Sequence, residues 1–248
     1  MLRKSGFVRR PVERGKALKA PPMSHLKLTI SKEDYLKAIA EAQNEEEPVI
    51  AATIARWLKI TPPAVALALR RLQRDNLIRV GSGGRISLTG EGRQISDRLR
   101  RRHRLIERML TEMLGMEWYK VHDEAERLEH AVSDDLEEKL IQKLGEEGSC
   151  PRGNEADVGA AQRRKAGLRL LAEVPAGVRV QVVAMYERDR SLLEYLDGLG
   201  IRPGSRAEVL TRNYDETMVL DLGGKRVHLG EAGAKRVWVK TITAAAAT

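Results

Sequence analysis

Along residues 28–98 the hydrophobic positions repeat at helical spacing, with turn signals between the repeats. From Ser31, which is placed as an N-cap, apolar residues follow one side of a predicted helix. A short helix is predicted over about residues 50–58. A further helix is predicted after Thr61, because Pro62 suits a first helical turn and apolar residues then recur every three or four positions.

The pattern then changes to that of strands. Residues 77–80 and 85–88 are short apolar-rich runs, and the glycine-rich segment 81–84 joins them, which predicts a two-stranded hairpin. A helix, a turn, a second helix and a basic hairpin together form a winged helix-turn-helix. In that fold the second helix would enter the major groove of DNA, and the hairpin would lie against phosphate.

Beyond the hairpin the chain is predicted to be helical and then strand-rich. Helical spacing returns over about residues 89–113 and again over about 121–144. The second of these helices has an apolar face with little aromatic filling, which suits packing against another subunit. After residue 171 the period becomes two, and five short strands in about 70 residues predict a small barrel. The predicted fold class is therefore mainly α with a small all-β domain.

Composition and charge narrow the class of protein. The 248 residues are 32% charged, with a formal net charge of +9. Residues 1–27 carry +7, residues 51–108 carry +10 and residues 121–156 carry −7. Such a distribution favours nucleic acid as the partner of the basic segments. No apolar run approaches the roughly 20 residues that span a bilayer, and the lone Cys150 cannot form an internal disulfide. We therefore expect a cytoplasmic protein with no membrane partner.

The acidic segment also concentrates side chains that metals can bind. His122, Glu126, Glu129 and His130 stand at relative positions 0, +4, +7 and +8, so one helix face would hold all four. Burial of such a set costs free energy unless a divalent cation is bound. The alternative interpretation is a solvated acidic face in which the histidines are incidental.

Several motifs resemble the family of the diphtheria toxin repressor and the manganese transport regulators. They are Asp34-Tyr-Leu36, the winged helix, His103-Arg-Leu-Ile-Glu107, and above all Val121-His-Asp-Glu-Ala-Glu-Arg-Leu-Glu-His130. The similarity runs from about Ser31 to Asn154. The later region around Leu199-Gly-Ile-Arg-Pro-Gly204 resembles the SH3-like, FeoA-type domain of the longer members. The resemblance implies a dimeric, metal-activated repressor that binds operator DNA.

Carried over by position, the resemblance implies two metal sites. The primary site would use Asp34, Glu126, Glu129 and His130. An ancillary site would use His103, Glu107 and His122, completed from the C-terminal domain near Asp189. The iron-responsive branch has methionine and cysteine at the positions of Asp34 and Glu126, and an oxygen-rich set suits Mn²⁺ and tolerates Fe²⁺ as the alternative. Lys37 stands where one manganese branch has a glutamate ligand.

DNA contacts are predicted from the recognition helix and the hairpin. The outward-facing candidates are Thr61, Pro63, Ala64, Leu67, Arg70, Arg71, Arg74 and, in the hairpin, Arg85. Since few of the side chains at the start of the helix can form hydrogen bonds to bases, phosphate contacts should dominate affinity, and DNA shape should supply much of the sequence preference.

The predicted organisation has five parts. They are a basic flexible arm at 1–27, the winged helix at 28–98, a helical metal-binding and dimerisation domain at 99–154, a linker at 155–172 and the SH3-like domain at 173–243. Two other functions are open on these residues: a metal-independent winged-helix DNA-binding protein, and a two-metal hydrolase. The absence of a recognisable nucleophile argues against an enzyme.

Overall fold

The computed structural model describes residues 30–45, 47–145, 149–154 and 158–242. The basic arm predicted at residues 1–27 lies outside them. None of the described helices is long and apolar enough to cross a membrane.

The first part of the structure is the predicted winged helix-turn-helix. It contains α1 (Ile30–Asn44), α2 (Ala51–Leu58), α3 (Pro62–Arg74) and the antiparallel pair β1 (Ile78–Val80) and β2 (Ile86–Leu88). These elements share one core, to which they contribute Leu36, Ile54, Leu72, Ile78 and Ile86. Helix α1 begins one residue before the predicted N-cap. Thr61 holds the N-cap position of α3, but its side chain makes no capping hydrogen bond.

The winged helix packs closely against the next helix, α4 (Gly90–Arg108), at Gly92 in its first turn. Thr89 caps α4 by accepting a hydrogen bond from the Gly92 backbone N–H at 3.1 Å. A Cβ atom at Gly92 would lie 2.0 Å from the Leu77 carbonyl oxygen, so only glycine allows this close approach. The hairpin is therefore held directly against the start of α4, which continues into a π-helical turn at Met109–Met113.

The single helix predicted over residues 121–144 is wrong. The structure has α5 (Val121–Leu128) and α6 (Asp134–Leu144), with a turn between them. The Ser133 hydroxyl accepts a hydrogen bond from the Leu136 backbone N–H at 3.2 Å and starts α6. The acidic residues that follow in the first turn of α6 suit the positive end of its dipole.

The strand-rich part forms one antiparallel sheet of six strands. They are β3 (Arg169–Leu170), β4 (Arg179–Met185), β5 (Arg206–Arg212), β6 (Met218–Asp221), β7 (Arg226–Leu229) and β8 (Val237–Thr241), in the order β3-β8-β4-β5-β6-β7. Among the described residues no pairing joins β3 to β7, so the predicted barrel closure is not confirmed. The alternating residues of these strands, such as Val180, Val209 and Leu220, face a common core.

The described part of this half of the chain also contains three short α-helices, none of which was predicted from the sequence: α7 (Ala160–Lys165), α8 (Arg190–Leu199) and α9 (Glu231–Ala234). Helix α8 adds Leu193 and Leu196 to the core of the sheet. Both α7 and β3 lie within the segment predicted as a linker, which is therefore structured over much of its described part.

The sheet domain packs against the DNA-binding domain. Arg188, in the bend after β4, forms an ion pair with Glu41 of α1, and its guanidinium lies 4.5 Å from the ring centroid of Trp57 on α2. Arg163 of α7 lies 3.7 Å from Glu45, just beyond the end of α1. The third domain, which comprises α7 to α9 and the six-stranded sheet, thus contacts α1 and α2 of the winged helix.

Candidate metal centre

Two groups of acidic and histidine side chains lie where α1, α4 and α5 meet. Asp34, Glu129 and His130 form the outer cluster, and His103, Glu107 and His122 form the inner cluster. Within each cluster one ligand atom from each residue lies within 4.8 Å of the others. Six of the seven metal ligands predicted from the sequence therefore come together in two sets of three.

The outer cluster is built around His130, which lies in the turn between α5 and α6. Its Nε2 atom lies 2.9 Å from Oδ1 of Asp34 and 3.8 Å from Oε1 of Glu129. Its Nδ1 atom lies 2.8 Å from Oε2 of Glu33. A carboxylate on the far nitrogen orients an imidazole for metal binding and raises its basicity. Glu33 was not predicted from the sequence, where its only signal is its place beside Asp34 in α1.

The outer cluster is electrostatically suited to a cation. Burial raises the pKa of the Asp34 carboxyl, although the neighbouring His130 opposes that effect. Burial would also raise the pKa of Glu129, but hydrogen bonds and charges from His103 and Lys37 outweigh it and lower that pKa. Two carboxylates and one imidazole form a donor set that fits Mn²⁺ or Fe²⁺.

Glu126 is the predicted ligand that stands outside both clusters. Its side chain is 44% exposed, and its Oε1 atom lies 3.9 Å from Nζ of Lys37 and 3.6 Å from Nε2 of His122. The residue occupies α5, whereas Glu129 and His130 follow the end of that helix. Since the helix ends at Leu128, the three residues do not share the single helix face that the sequence predicts.

The inner cluster is buried. On α4, His103 and Glu107 are one helical turn apart, with Nε2 of His103 at 2.7 Å from Oε1 of Glu107. His122, in the first turn of α5, places Nδ1 at 2.9 Å from the same His103 nitrogen and 3.2 Å from the same Glu107 oxygen. All three side chains are buried.

Charges around the inner cluster are strongly coupled. Burial and Lys37 would both lower the pKa of His103, but Glu107 and Glu129 raise it to about 9. Burial would raise the pKa of Glu107, but Arg152 and His103 hold it well below its ordinary value. The carboxylates of Glu107 and Glu129 therefore favour the protonated form of the His103 imidazole.

Lys37 connects the two clusters. Its Nζ atom donates to Oε1 and Oε2 of Glu129 at 2.9 and 2.8 Å and lies 3.1 Å from Nδ1 of His103. Burial alone would lower the pKa of this ammonium, but the carboxylates of Glu41, Glu129 and Glu126 outweigh it and raise the pKa. Lys37 is therefore a buried cation. Its position in the sequence, where one manganese branch has a glutamate ligand, did not predict this burial.

Arg152, which lies beside the inner cluster, was not predicted from the sequence. Arg152 is completely buried; its Nη2 atom bonds to Oε1 of Glu107 and lies 3.6 Å from Oε2 of Glu187. Asp189, predicted near the ligands of the third domain, instead caps α8 by accepting a hydrogen bond from the Leu192 N–H at 3.0 Å. No local pattern marks Arg152, because its burial depends on the domain that packs over it.

The predicted DNA-contacting residues all lie on the surface. On α3, Val65, Leu69 and Leu72 face the core. The residues that are exposed are Thr61, Pro63, Ala64, Leu67, Arg70, Arg71 and Arg74, and Arg85 is exposed at the hairpin. Leu67 is 51% exposed although it is apolar. An exposed apolar side chain among arginines suits contact with a thymine methyl group beside phosphates.

Comparison with known proteins covers all three parts of the chain. Residues 27–82 match the iron dependent repressor N-terminal DNA binding domain. Residues 89–157 match the iron dependent repressor metal binding and dimerisation domain. Residues 169–241 match the FeoA domain.

The similarity to individual relatives covers nearly the whole length of those proteins. The diphtheria toxin repressor of Corynebacterium efficiens is 34% identical over 221 residues, which cover 85% of this chain and 95% of that protein. The iron-dependent repressor IdeR of Mycobacterium leprae is 33% identical over 222 residues, which cover 85% and 96%. A solved structure described as a manganese-dependent transcriptional repressor in complex with manganese is 32% identical, with a TM-score of 0.74 over 85% of this chain and all of that one.

Proposed function

Since this chain belongs to the family of iron-dependent repressors, we propose that it binds operator DNA as a dimer when Mn²⁺ occupies the outer cluster, with Fe²⁺ as the alternative ion. As a member of that family it is a metal-dependent transcriptional repressor. The alternative of a two-metal hydrolase is wrong, because the relatives are repressors and not enzymes.

The observation that carries this proposal is the position of the outer cluster between two domains. Asp34 belongs to α1 of the DNA-binding domain, whereas Glu129 and His130 belong to the turn before α6. An ion bound by all three residues would fix the angle between the DNA-binding domain, or reading head, and the dimerisation domain. Two reading heads held in this way lose less entropy on docking to two half-sites, so metal and DNA would each strengthen binding of the other.

The ligand atoms of the outer cluster favour Mn²⁺ over softer divalent ions. Asp34, Glu129 and His130 supply carboxylate oxygens and one imidazole, and Glu126 on α5 is an additional carboxylate close by. Oxygen-rich sites suit Mn²⁺, while sulfur ligands would favour softer ions. When bound, the ion contributes charge neutralisation and a fixed geometry, while Glu33 keeps Nε2 of His130 directed towards it.

DNA recognition is proposed for the exposed side of α3 and for the hairpin. Arg70, Arg71, Arg74 and Arg85 would contact phosphates, with Thr61, Pro63, Ala64 and Leu67 next to the base edges. Phosphate contacts of this kind position a protein on the duplex, and DNA shape then supplies much of the sequence preference.

The dimer is supported by exposed apolar residues on the domain that the family uses for dimerisation. Leu128 and Leu136 are 39% and 44% exposed, and they flank the turn that holds His130. Burial of this surface in a second copy would lower its free energy in water. Dimerisation would also bring the turn of each outer cluster close to the interface. We propose the cytoplasm as the compartment in which the dimer meets DNA.

The test is a DNA-binding titration with defined metal ions. Duplexes selected by the protein from a random library in Mn²⁺ are titrated by fluorescence anisotropy with Mn²⁺, Fe²⁺, Co²⁺ or Zn²⁺, and in chelator. We expect tight binding in Mn²⁺ and loss of it in chelator or in the Asp34→Ala variant. Glu124→Ala, which removes an exposed carboxylate paired with Arg127, is the matched control. Equal affinity with and without metal would instead establish a metal-independent DNA-binding protein.

A further inference from the structure

We propose that Lys37 and Arg152 act as built-in cations in place of a second metal ion, so that each protomer binds one divalent ion, at the outer cluster. The inference rests on the proposed function of the outer cluster. The family resemblance implies an ion at the inner cluster as well, but the charges that surround the inner cluster point to a different role.

Arg152 is bonded to one of the two carboxylate oxygens that Glu107 could offer to a second ion. Oε1 of Glu107 is the oxygen nearest both imidazoles, at 2.7 Å from His103 and 3.2 Å from His122. The guanidinium of Arg152 bonds to that same oxygen. Arginine stays charged at every pH that a folded protein meets, so its positive charge is permanent. Oε2 of Glu107 has no hydrogen-bond partner among the described residues, but an ion bound there would share the carboxylate with this fixed cation.

Lys37 closes the other side of the inner cluster. Its ammonium lies 3.1 Å from Nδ1 of His103, and it is only 4% exposed. Because Coulomb repulsion between cations grows as the local dielectric constant falls, two buried cations on either side oppose a third more strongly than exposed ones would. Arg152 also balances the charge of Glu107, which is the one carboxylate among the three residues of the inner cluster.

The outer cluster keeps the negative charge that the inner cluster has lost. The carboxylates of Glu33 and Asp34 both face the single imidazole of His130, at 2.8 and 2.9 Å. Although Lys37 donates to both oxygens of Glu129, a carboxylate has about four lone-pair positions, so Oε1 can still bind an ion. The two clusters therefore differ in net charge although they use the same residue types.

The inner cluster then acts as a permanent connection between domains. Arg152 lies in the segment that precedes the third domain, Glu107 lies on α4, and Glu187, 3.6 Å from Arg152, lies in the third domain itself. These ion pairs join the three without any metal. The third domain should therefore stay docked in chelator, while the angle of the reading head responds to the ion at the outer cluster.

The test counts bound ions. Purified full-length protein is dialysed to equilibrium against Mn²⁺, and bound metal is measured by elemental analysis, with free Mn²⁺ followed by electron paramagnetic resonance. We expect one ion per protomer in the wild type, loss of it in His130→Ala, and retention of it in His122→Ala. Two ions in the wild type would overturn this inference alone, whereas no bound ion would overturn the proposed function.

Neutral variants test whether charge excludes the second ion. Arg152→Met and Lys37→Met remove one cation each while keeping a long side chain, and either should raise the count from one to two. Arg152→Lys keeps the charge and should stay at one. Arg163→Met is the matched control, because Arg163 is also a buried arginine but donates to Asn154, at 2.7 Å.

Folding is checked on each variant by circular dichroism, and the two Met variants act on opposite sides of the cluster, so one can replace the other. If both fold and still bind one ion, the proposal is wrong.

Discussion

The two clusters use the same residue types, yet the fold surrounds them differently. The inner cluster is buried against a guanidinium and an ammonium, and Glu107 has no exposed surface. In the outer cluster the side chain of Asp34 is 38% exposed, so an ion has a path from solvent. A set of ligands with suitable spacing is therefore insufficient to define a metal site. The cations that the rest of the fold places beside the ligands decide whether a metal ion is needed.

The largest difference between the clusters should appear in the stability of the metal-free protein. Arg152→Ala should lower the free energy of unfolding by about 3–5 kcal/mol, because it leaves the Glu107 carboxylate buried without its partner. Asp34→Asn should not lower it, because burial has raised the pKa of Asp34, and the folded state is therefore disfavoured while that carboxyl is ionised. Urea unfolding at neutral pH in chelator measures both. Equal losses in the two variants would contradict the difference between the clusters.

Substitution of one histidine from each cluster should affect Mn²⁺ affinity very differently. His130→Ala should weaken Mn²⁺ binding by at least about 100-fold, because even residues that only orient a ligand contribute 10-fold to 100-fold. His122→Ala should leave the dissociation constant nearly unchanged, since the inner cluster holds no ion. Isothermal titration calorimetry with Mn²⁺ compares the pair. A large loss in His122→Ala would place an ion in the inner cluster.

A smaller effect is expected from the carboxylate behind His130. Glu33→Gln should weaken Mn²⁺ binding by about 10-fold or more, because the amide orients the imidazole without the negative charge that raises its basicity. Glu124→Gln is the control, since that exposed carboxylate pairs with Arg127 on the surface of α5. Competition with a fluorescent metal indicator measures both affinities. Similar losses in both would mean that only the total charge of the protein matters.

The smallest effect is expected in the salt dependence of DNA binding, which should change without any change in metal binding at the outer cluster. In Mn²⁺, Arg71→Ala should flatten the plot of log affinity against log salt by about one unit, since one phosphate contact is lost. Its Mn²⁺ affinity in the absence of DNA should stay that of the wild type. Arg202→Ala, which removes an arginine of the third domain paired with Asp197 at 2.6 Å, should leave the slope unchanged. An unchanged slope in Arg71→Ala would remove that residue from the interface.

The winged helix could be predicted from local pattern alone. Its helices bury one face each, so apolar residues recur at helical spacing, and its hairpin is marked by glycines at which the backbone adopts positive φ, such as Gly83 and Gly84. The strands of the third domain alternate between core and surface for the same kind of reason. In these regions burial on one side is enough to determine the secondary structure.

The break between α5 and α6 shows where such reasoning fails. Periodicity continues across residues 129–133, because Val132 is buried in the same core as Val121 and Ala125. The capping Ser133 and the acidic residues behind it were the available signal for a new helix, but an apolar stripe alone does not reveal it. This break also affects the outer cluster, because a turn and not a helix face positions His130.

The order of the domains, the ligand types and the family resemblance could be predicted from the sequence, because they depend on residues close together in the chain. Which ligands share a cluster, and which cations lie beside them, depends on contacts between distant segments. Glu33 meets His130 across 97 positions, and Lys37 meets Glu129 across 92. Electrostatic energies depend on distance and burial in three dimensions, and the spacing of residues along the chain specifies neither.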